Sequence, residues 1–335
     1  MKNKLLLSSA LVGSLALASA AVAETKITGS AAYTYSAVSG ATAAASIQGA
    51  GSELQIDIAN SGDLNIGGLT YKAGFSMERD GNDSAADWSE GNYFSVVAGS
   101  TEVMWNIDKA PNLSQSATPR VGQMLNTQTA GTSKAVYDYS PGAMLKNTSW
   151  NLAVMQKTDV GNFAVVYAPK FDDAGAAAND NIAASAQTGG SAYDLVYSGN
   201  LGVDGLSAVA GYSKLNKQTG AVDDTTAKQL GLAYNFGQIA AGVTRNKVTA
   251  STGVDTTSTD YGVTFAVNDN LSLGVLYATG DKEATTAKEK ITSATIAYNL
   301  GGAVFETYYV QVENAAGASS AKDEEKFAAR ISTKF

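Results

Sequence analysis

From Glu325 to Phe335 apolar and polar side chains take turns along the chain. Phe327, Ala329, Ile331, Thr333 and Phe335 fall on one face of an extended strand, and Lys326, Ala328, Arg330, Ser332 and Lys334 on the other. A strand with one greasy face and one charged face can be an edge strand of a soluble domain. It can also be one stave of a barrel whose outside meets hydrocarbon and whose inside meets water.

The same grammar recurs along the chain. Ile27, Gly29, Ala31, Tyr33 and Tyr35 alternate with Lys26, Thr28, Ser30, Ala32 and Thr34. Leu54, Ile56 and Ile58 alternate with Glu53, Gln55 and Asp57, and Leu69, Tyr71, Ala73, Phe75 and Met77 with Thr70, Lys72, Gly74, Ser76 and Glu78. Further on come Leu230, Leu232, Tyr234 and Phe236, then Tyr261, Val263, Phe265 and Val267, then Leu271, Leu273, Val275 and Tyr277. A soluble sandwich would carry bulkier aliphatic residues on its buried face. Here the apolar face is thin and tipped with Tyr and Phe, as the interfacial girdles of a membrane barrel require.

The amino-terminal segment reads as an export signal. Lys2 and Lys4 make a basic start, Leu5 to Ala20 an apolar core, and Ala21-Val22-Ala23 a small-residue cleavage site. Cleavage is expected after Ala23, leaving residues 24–335 as one large domain. No later segment approaches the roughly 20 apolar residues of a spanning helix.

Composition removes several functions. The chain has no Cys and no His. Disulfides, thiolate metal sites and the commonest general base are therefore absent, and neither an enzyme nor a cofactor or metal site is expected. The net charge of −8 argues against a nucleic-acid partner.

The connections alternate between short and long. Asn60-Ser61-Gly62-Asp63, Gly99-Ser100, Phe236-Gly237-Gln238, Val267 to Asn270 and Leu300-Gly301-Gly302 read as tight turns. Phe171–Gly190, Leu215–Thr226, Thr249–Ser258, Gly280–Lys290 and Asn314–Glu324 read as longer loops. Short turns at one rim and long loops at the other suit a transmembrane antiparallel β-barrel. About seventeen segments have strand character. An even count keeps the alternation in phase if Lys134–Ser140 is irregular, so 16 strands are expected, with 18 as the alternative. The longest irregular stretch, Ile107 to about Lys146, follows the strand Thr101–Trp105, and a loop of that length is usually functional.

Taken together, these features resemble the general porins of Gram-negative bacteria. Gly51-Ser52-Glu53-Leu54-Gln55-Ile56 sits where that family has a serine-arginine-leucine strand. Tyr93 to Ser100 is similar to its fourth strand and turn, and Tyr137-Asp138-Tyr139-Ser140-Pro141 to the segment after its third loop. The resemblance implies a third loop folded into the barrel, a homotrimer in outer-membrane lipid, and a terminal aromatic, Phe335, read by the barrel assembly machinery. It implies passive diffusion of ions and small hydrophilic solutes.

The departures bear on ion preference. Glu53, Glu90 and Asp138 stand where the family commonly has basic residues, and Asp108, Lys109 and Arg120 occupy a loop lacking its aromatic-Pro-Glu-Phe motif. Rings of charge in a narrow pore set the ion preference. With Glu53, Asp57 and Glu90 on the wall, and only Lys72, Arg79 and Arg330 as a basic counter-wall, the expected pore favours cations. The alternative is a structural or adhesive barrel with no open pore.

Overall fold

The computed structural model describes residues 23–40, 47–80, 87–106, 109–111, 116–121, 150–169, 191–216, 225–250, 255–283, 285–314 and 323–335. The segment read as an export signal lies outside the described residues, apart from Ala23. So do Asp108, Asp138 and Lys134–Ser140.

Sixteen strands close on themselves, each antiparallel to both neighbours, and the first pairs with the last. They are β1 (Glu24–Ser39), β2 (Ile47–Asp63), β3 (Thr70–Asp80), β4 (Asp87–Ala98), β5 (Thr101–Asn106), β6 (Asn151–Thr158), β7 (Gly161–Ala168) and β8 (Ala192–Gly199). The second half comprises β9 (Leu206–Leu215), β10 (Thr225–Asn235), β11 (Ile239–Ala250), β12 (Thr256–Ala266), β13 (Leu271–Lys282), β14 (Glu289–Asn299), β15 (Val304–Glu313) and β16 (Glu324–Lys334). Closure gives every strand two neighbours, so the backbone hydrogen bonds are satisfied without water.

Residues opposite one another on antiparallel strands share a face, so the register carries one face right round the barrel. Tyr33 lies opposite Ile331, Leu54 opposite Ala31, Val243 opposite Tyr261, and Tyr261 opposite Tyr277. All of these except the small Ala31 are exposed apolar or aromatic side chains, as the lipid-facing surface demands. The other face carries Ser213, Gln229, Thr244, Asn246, Ser258, Asp260 and Thr295, which are buried inside. The wall is thus apolar outward and polar inward along the alternation already visible in the sequence. Val263 lies between Tyr261 and Phe265 on β12 and opposite Val275. Replacing it with arginine is expected to cost about 2–4 kcal/mol, measured by urea unfolding in lipid vesicles. A loss below about 1 kcal/mol would place Val263 outside the hydrocarbon.

Aromatic pairs mark two belts. Tyr71 and Phe94, Phe163 and Tyr197, and Tyr234 and Phe236 pack near the short-turn rim. Trp105 stacks on Trp150, with ring centroids 5.8 Å apart, and Tyr193 meets Tyr212 towards the long-loop rim.

The short turns fall as the sequence indicates at Gly99-Ser100, Phe236–Gln238, Val267–Asn270 and Leu300–Gly302, but not at Asn60–Asp63. Those residues finish β2, where Asn60 accepts from the Tyr71 hydroxyl (2.5 Å) and donates to Thr25 (2.9 Å). The reversal lies at Leu64–Leu69, where Asn65, Gly67 and Gly68 take positive φ values of 56°, 54° and 74°.

The seam between β1 and β16 extends to Phe335. Its amide donates to Gly29 and its carbonyl accepts from Gly29, at 2.9 and 2.7 Å. A Cβ at Gly29 would come within 2.6 Å of the Phe335 ring, so the absent side chain leaves room for the aromatic to lie across the seam.

Candidate functional site

The described residues between β5 and β6, Lys109–Pro111 and Ser116–Val121, contact the inner wall of the barrel. Asn106, fully buried at the end of β5, turns the chain inward. Its Oδ1 accepts from the amides of Lys109 (3.1 Å) and Ala110 (2.9 Å), while its Nδ2 donates to Asn151 (2.8 Å). The Lys109 ammonium then reaches the β2–β3 wall. It donates to Ser76 Oγ at 3.1 Å and lies 4.0 Å from Asp57 Oδ1. Asp57 is further held by Ser76 (2.6 Å) and by the Gln55 amide (3.0 Å). Gly91, at φ 62°, sits beside the Lys109 side chain, which occupies the space a Cβ would need.

The stretch Ser116–Val121 lies against the opposite wall. The Thr244 hydroxyl on β11 is its anchor, meeting the amides of Ala117 (3.1 Å) and Thr118 (3.2 Å) and the hydroxyls of Ser116 and Thr118 (both 2.9 Å). Thr118 also donates to the Asp260 carbonyl at 3.3 Å, and Arg120 reaches the Asp260 carboxylate at 3.5 Å. Two glycines flank the anchor. A Cβ at Gly231 would come within 2.6 Å of Thr244 Oγ1, and one at Gly262 within 2.5 Å of Thr118 Cγ2. Ala117 packs with Val209 and Ala233. Val121 packs on an apolar inner patch of β13–β16 that includes Leu276, Ile291, Tyr308 and Val310. Lys109 and Ser116–Val121 therefore touch facing walls, and their side chains occupy lumen space on both sides. Towards the short-turn rim a cavity of about 780 Å³ lies beneath Ser116–Pro119, lined among others by Lys157, Asp159, Asn162, Ser198 and Asn235.

Several charges on the inner wall are paired. Glu53 faces inward and lies 3.5 Å from Arg330, which is also opposite Glu306 in the β15–β16 register. Lys72 faces inward but pairs with Glu102 at 2.8 Å. Glu90 pairs through its backbone with Ser76 across a bulge in β3–β4. Arg79 corrects the expected counter-wall. It lies opposite Leu54, whose face is the outer one, so the period-two rule that turns Glu78 inward turns Arg79 outward. Of the other expected site residues, Asp57 and Lys109 meet on the β2–β3 wall, Arg120 meets Asp260 on the facing wall, and Phe335 stands at the seam.

Sequence reading missed the residues that receive the segment: Thr244, Asp260, Gly231 and Gly262. The signal available for Asp260 was parity, since it alternates with outward Tyr261 and Val263. Nothing in the sequence distinguishes Thr244 from the many other wall threonines.

The fold has solved relatives. The anion-selective porin from Comamonas acidovorans superimposes with a TM-score of 0.73 at 17% identity, over 94% of this chain and 100% of that one. OmpF of Salmonella typhi, in complex with daunomycin, gives 0.65 at 12% identity over 93% and 97%. OmpT of Vibrio cholerae, in a trimer form, gives 0.63 at 11% identity over 94% and 100%. No curated protein sequence matches the chain. Residues 8–320 match the family model of Gram-negative porins, and the chain belongs to that family, the channel-forming barrels of the outer membrane.

Proposed function

We propose that this porin passes ions and small hydrophilic solutes by diffusion and favours cations over anions. The supporting observation is the imbalance of buried charge on the inner wall. Among the described residues, the carboxylates of Asp194, Asp260, Glu289, Glu306 and Glu324 are buried there, against one buried lysine, Lys326. Ion pairing moderates the effect, because Glu53 has Arg330, Asp57 has Lys109 and Asp260 has Arg120. The preference is accordingly weak rather than absolute. The Comamonas relative is named for the opposite preference, and at 17% identity its wall charges need not be shared.

Export by cleavage after Ala23, recognition of Phe335 by the assembly machinery, and a homotrimer belong to the same reading. The Vibrio OmpT trimer form is the parallel for assembly. No catalytic step is assigned. The purified protein in a planar bilayer should give discrete conductance steps and, across a KCl gradient, a reversal potential of the sign set by K⁺. Anion preference would overturn the charge assignment, and absence of conductance would favour a plugged structural barrel.

A further inference from the structure

The outer face of β9–β11 breaks the apolar rule. Lys228 on β10 lies directly opposite Lys247 on β11, and Arg245 one step along lies opposite Leu230. Lys214 on β9 lies opposite Thr226, diagonal to Lys228. All four share the face of Leu230, Leu232 and Val243, and Lys228, Arg245 and Lys247 are exposed. Like charges set directly opposite repel, and cations on a lipid-facing wall are costly except near the interface. Lys247 pairs with Asp255 at 2.9 Å, but among the described residues neither Lys228 nor Arg245 has a carboxylate within ion-pair distance.

Two features say what completes this patch. The first is its level. Lys228 is opposite Tyr212 and Lys214 opposite Tyr193, and these tyrosines form a ring pair in the belt towards the long-loop rim. Aromatic belts mark the depth of lipid headgroups. The second is shape. An outward groove of about 320 Å³ runs along the wall, with Leu230, Leu232 and Val243 as its apolar floor and Lys228, Arg245 and Lys247 at its charged end. Such a groove offers an acyl chain a bed and an anionic headgroup a basic clamp.

We propose that this groove binds a phosphate-bearing membrane lipid. Its headgroup oxygens bridge Lys228, Arg245 and Lys247, and its chain lies over Leu230 and Leu232. Basic clusters at a membrane surface recognise anionic lipids in this way, and guanidinium adds paired donors to phosphate.

Native mass spectrometry of the full protein, released from detergent with either phosphatidylglycerol, bisphosphorylated lipid A or phosphatidylcholine, tests the assignment. The anionic lipids should be retained about tenfold or more over phosphatidylcholine, and the triple variant K228Q/R245Q/K247Q should lose that preference. Its conductance should be unchanged, because these side chains face away from the lumen, and unaltered conductance also shows that the barrel has formed. Equal retention of charged and zwitterionic lipid would overturn the proposal. So would a variant that keeps the preference, displacement by free pyrophosphate at lipid-like concentration (a soluble phosphate site), or loss of oligomer without change in lipid retention (a protein interface).

Discussion

Gly262→Leu should unseat the segment that narrows the lumen, giving larger and noisier single-channel currents in a planar bilayer. The reason is contact distance. Thr118 and Pro119 lie where a side chain at Gly262 would go, with Thr118 Cγ2 at 2.5 Å from the position of a Cβ. Neither the wall nor the short segment can absorb a leucine, and overpacking of this kind costs about 1–3 kcal/mol. Anchors of the segment include the Thr244 hydroxyl, the Asp260 carbonyl, the Arg120–Asp260 pair and the burial of Val121. A loss of that size is comparable to any one of them. Thr244→Val attacks the same junction without adding bulk. It takes the hydroxyl acceptor from the Ala117 amide, at a cost of about 1–3 kcal/mol, while the Thr118 amide keeps Ser116 Oγ at 3.2 Å. Both variants should move the current the same way. Unchanged conductance in both would mean that Ser116–Val121 does not limit the pore.

The second large effect is electrostatic. Arg330→Gln should raise the preference for cations, moving the reversal potential in a KCl gradient further towards that of K⁺. Arg330 stands 3.5 Å from Glu53 and opposite Glu306, and its side chain is only 12% exposed. Removing it takes the cation from Glu53 and a positive charge from the register position opposite Glu306. A unit charge at about 4 Å contributes about 1 kcal/mol in bulk water and about 4 kcal/mol where the effective dielectric constant is near 20. Even the lower figure changes an ion ratio about fivefold. Arg79→Gln is the matched control. It removes the same charge, but from the outer face opposite Leu54, and should leave the reversal potential where it was. A shift with Arg79→Gln, or none with Arg330→Gln, would overturn the assignment of these arginines to the two faces.

These arginines also show what could be read from sequence. Alternation placed Glu53, Gln55 and Asp57 inward and Leu54, Ile56 and Ile58 outward, because lipid on one side and water on the other impose a period of two at every rung. The closed barrel and its strand number followed from that rule and from the rhythm of the connections. Arg79 goes to the wrong face when charge outweighs parity, because it lies opposite outward Leu54. Its position towards the long-loop rim is one that tolerates an outward cation, and the same holds for Lys228, Arg245 and Lys247. Asn60–Asp63 read as a turn from composition alone. In the barrel, pairing across β1 and β3 keeps those residues extended, and the left-handed positions fall at Asn65, Gly67 and Gly68 instead. The pore-lining constellation was half legible. Lys109 and Arg120 were candidates because they lie in the long irregular stretch. Their receptors, Ser76 and Asp260, come from distant strands that only closure brings to the same interior, and so does Thr244, which holds Ser116–Thr118.

The join between β1 and β16 has a consequence for how the molecule comes into being. Every other pairing links strands adjacent in sequence and can form hairpin by hairpin. This one alone unites Ser30 with Lys334 and Gly29 with Phe335, so it must wait until the whole ribbon has grown and curled. Until then both outermost staves offer bare amides and carbonyls to hydrocarbon or to any passing strand. The aromatic that lies over Gly29 acts at the last place where an unfinished cylinder could still open.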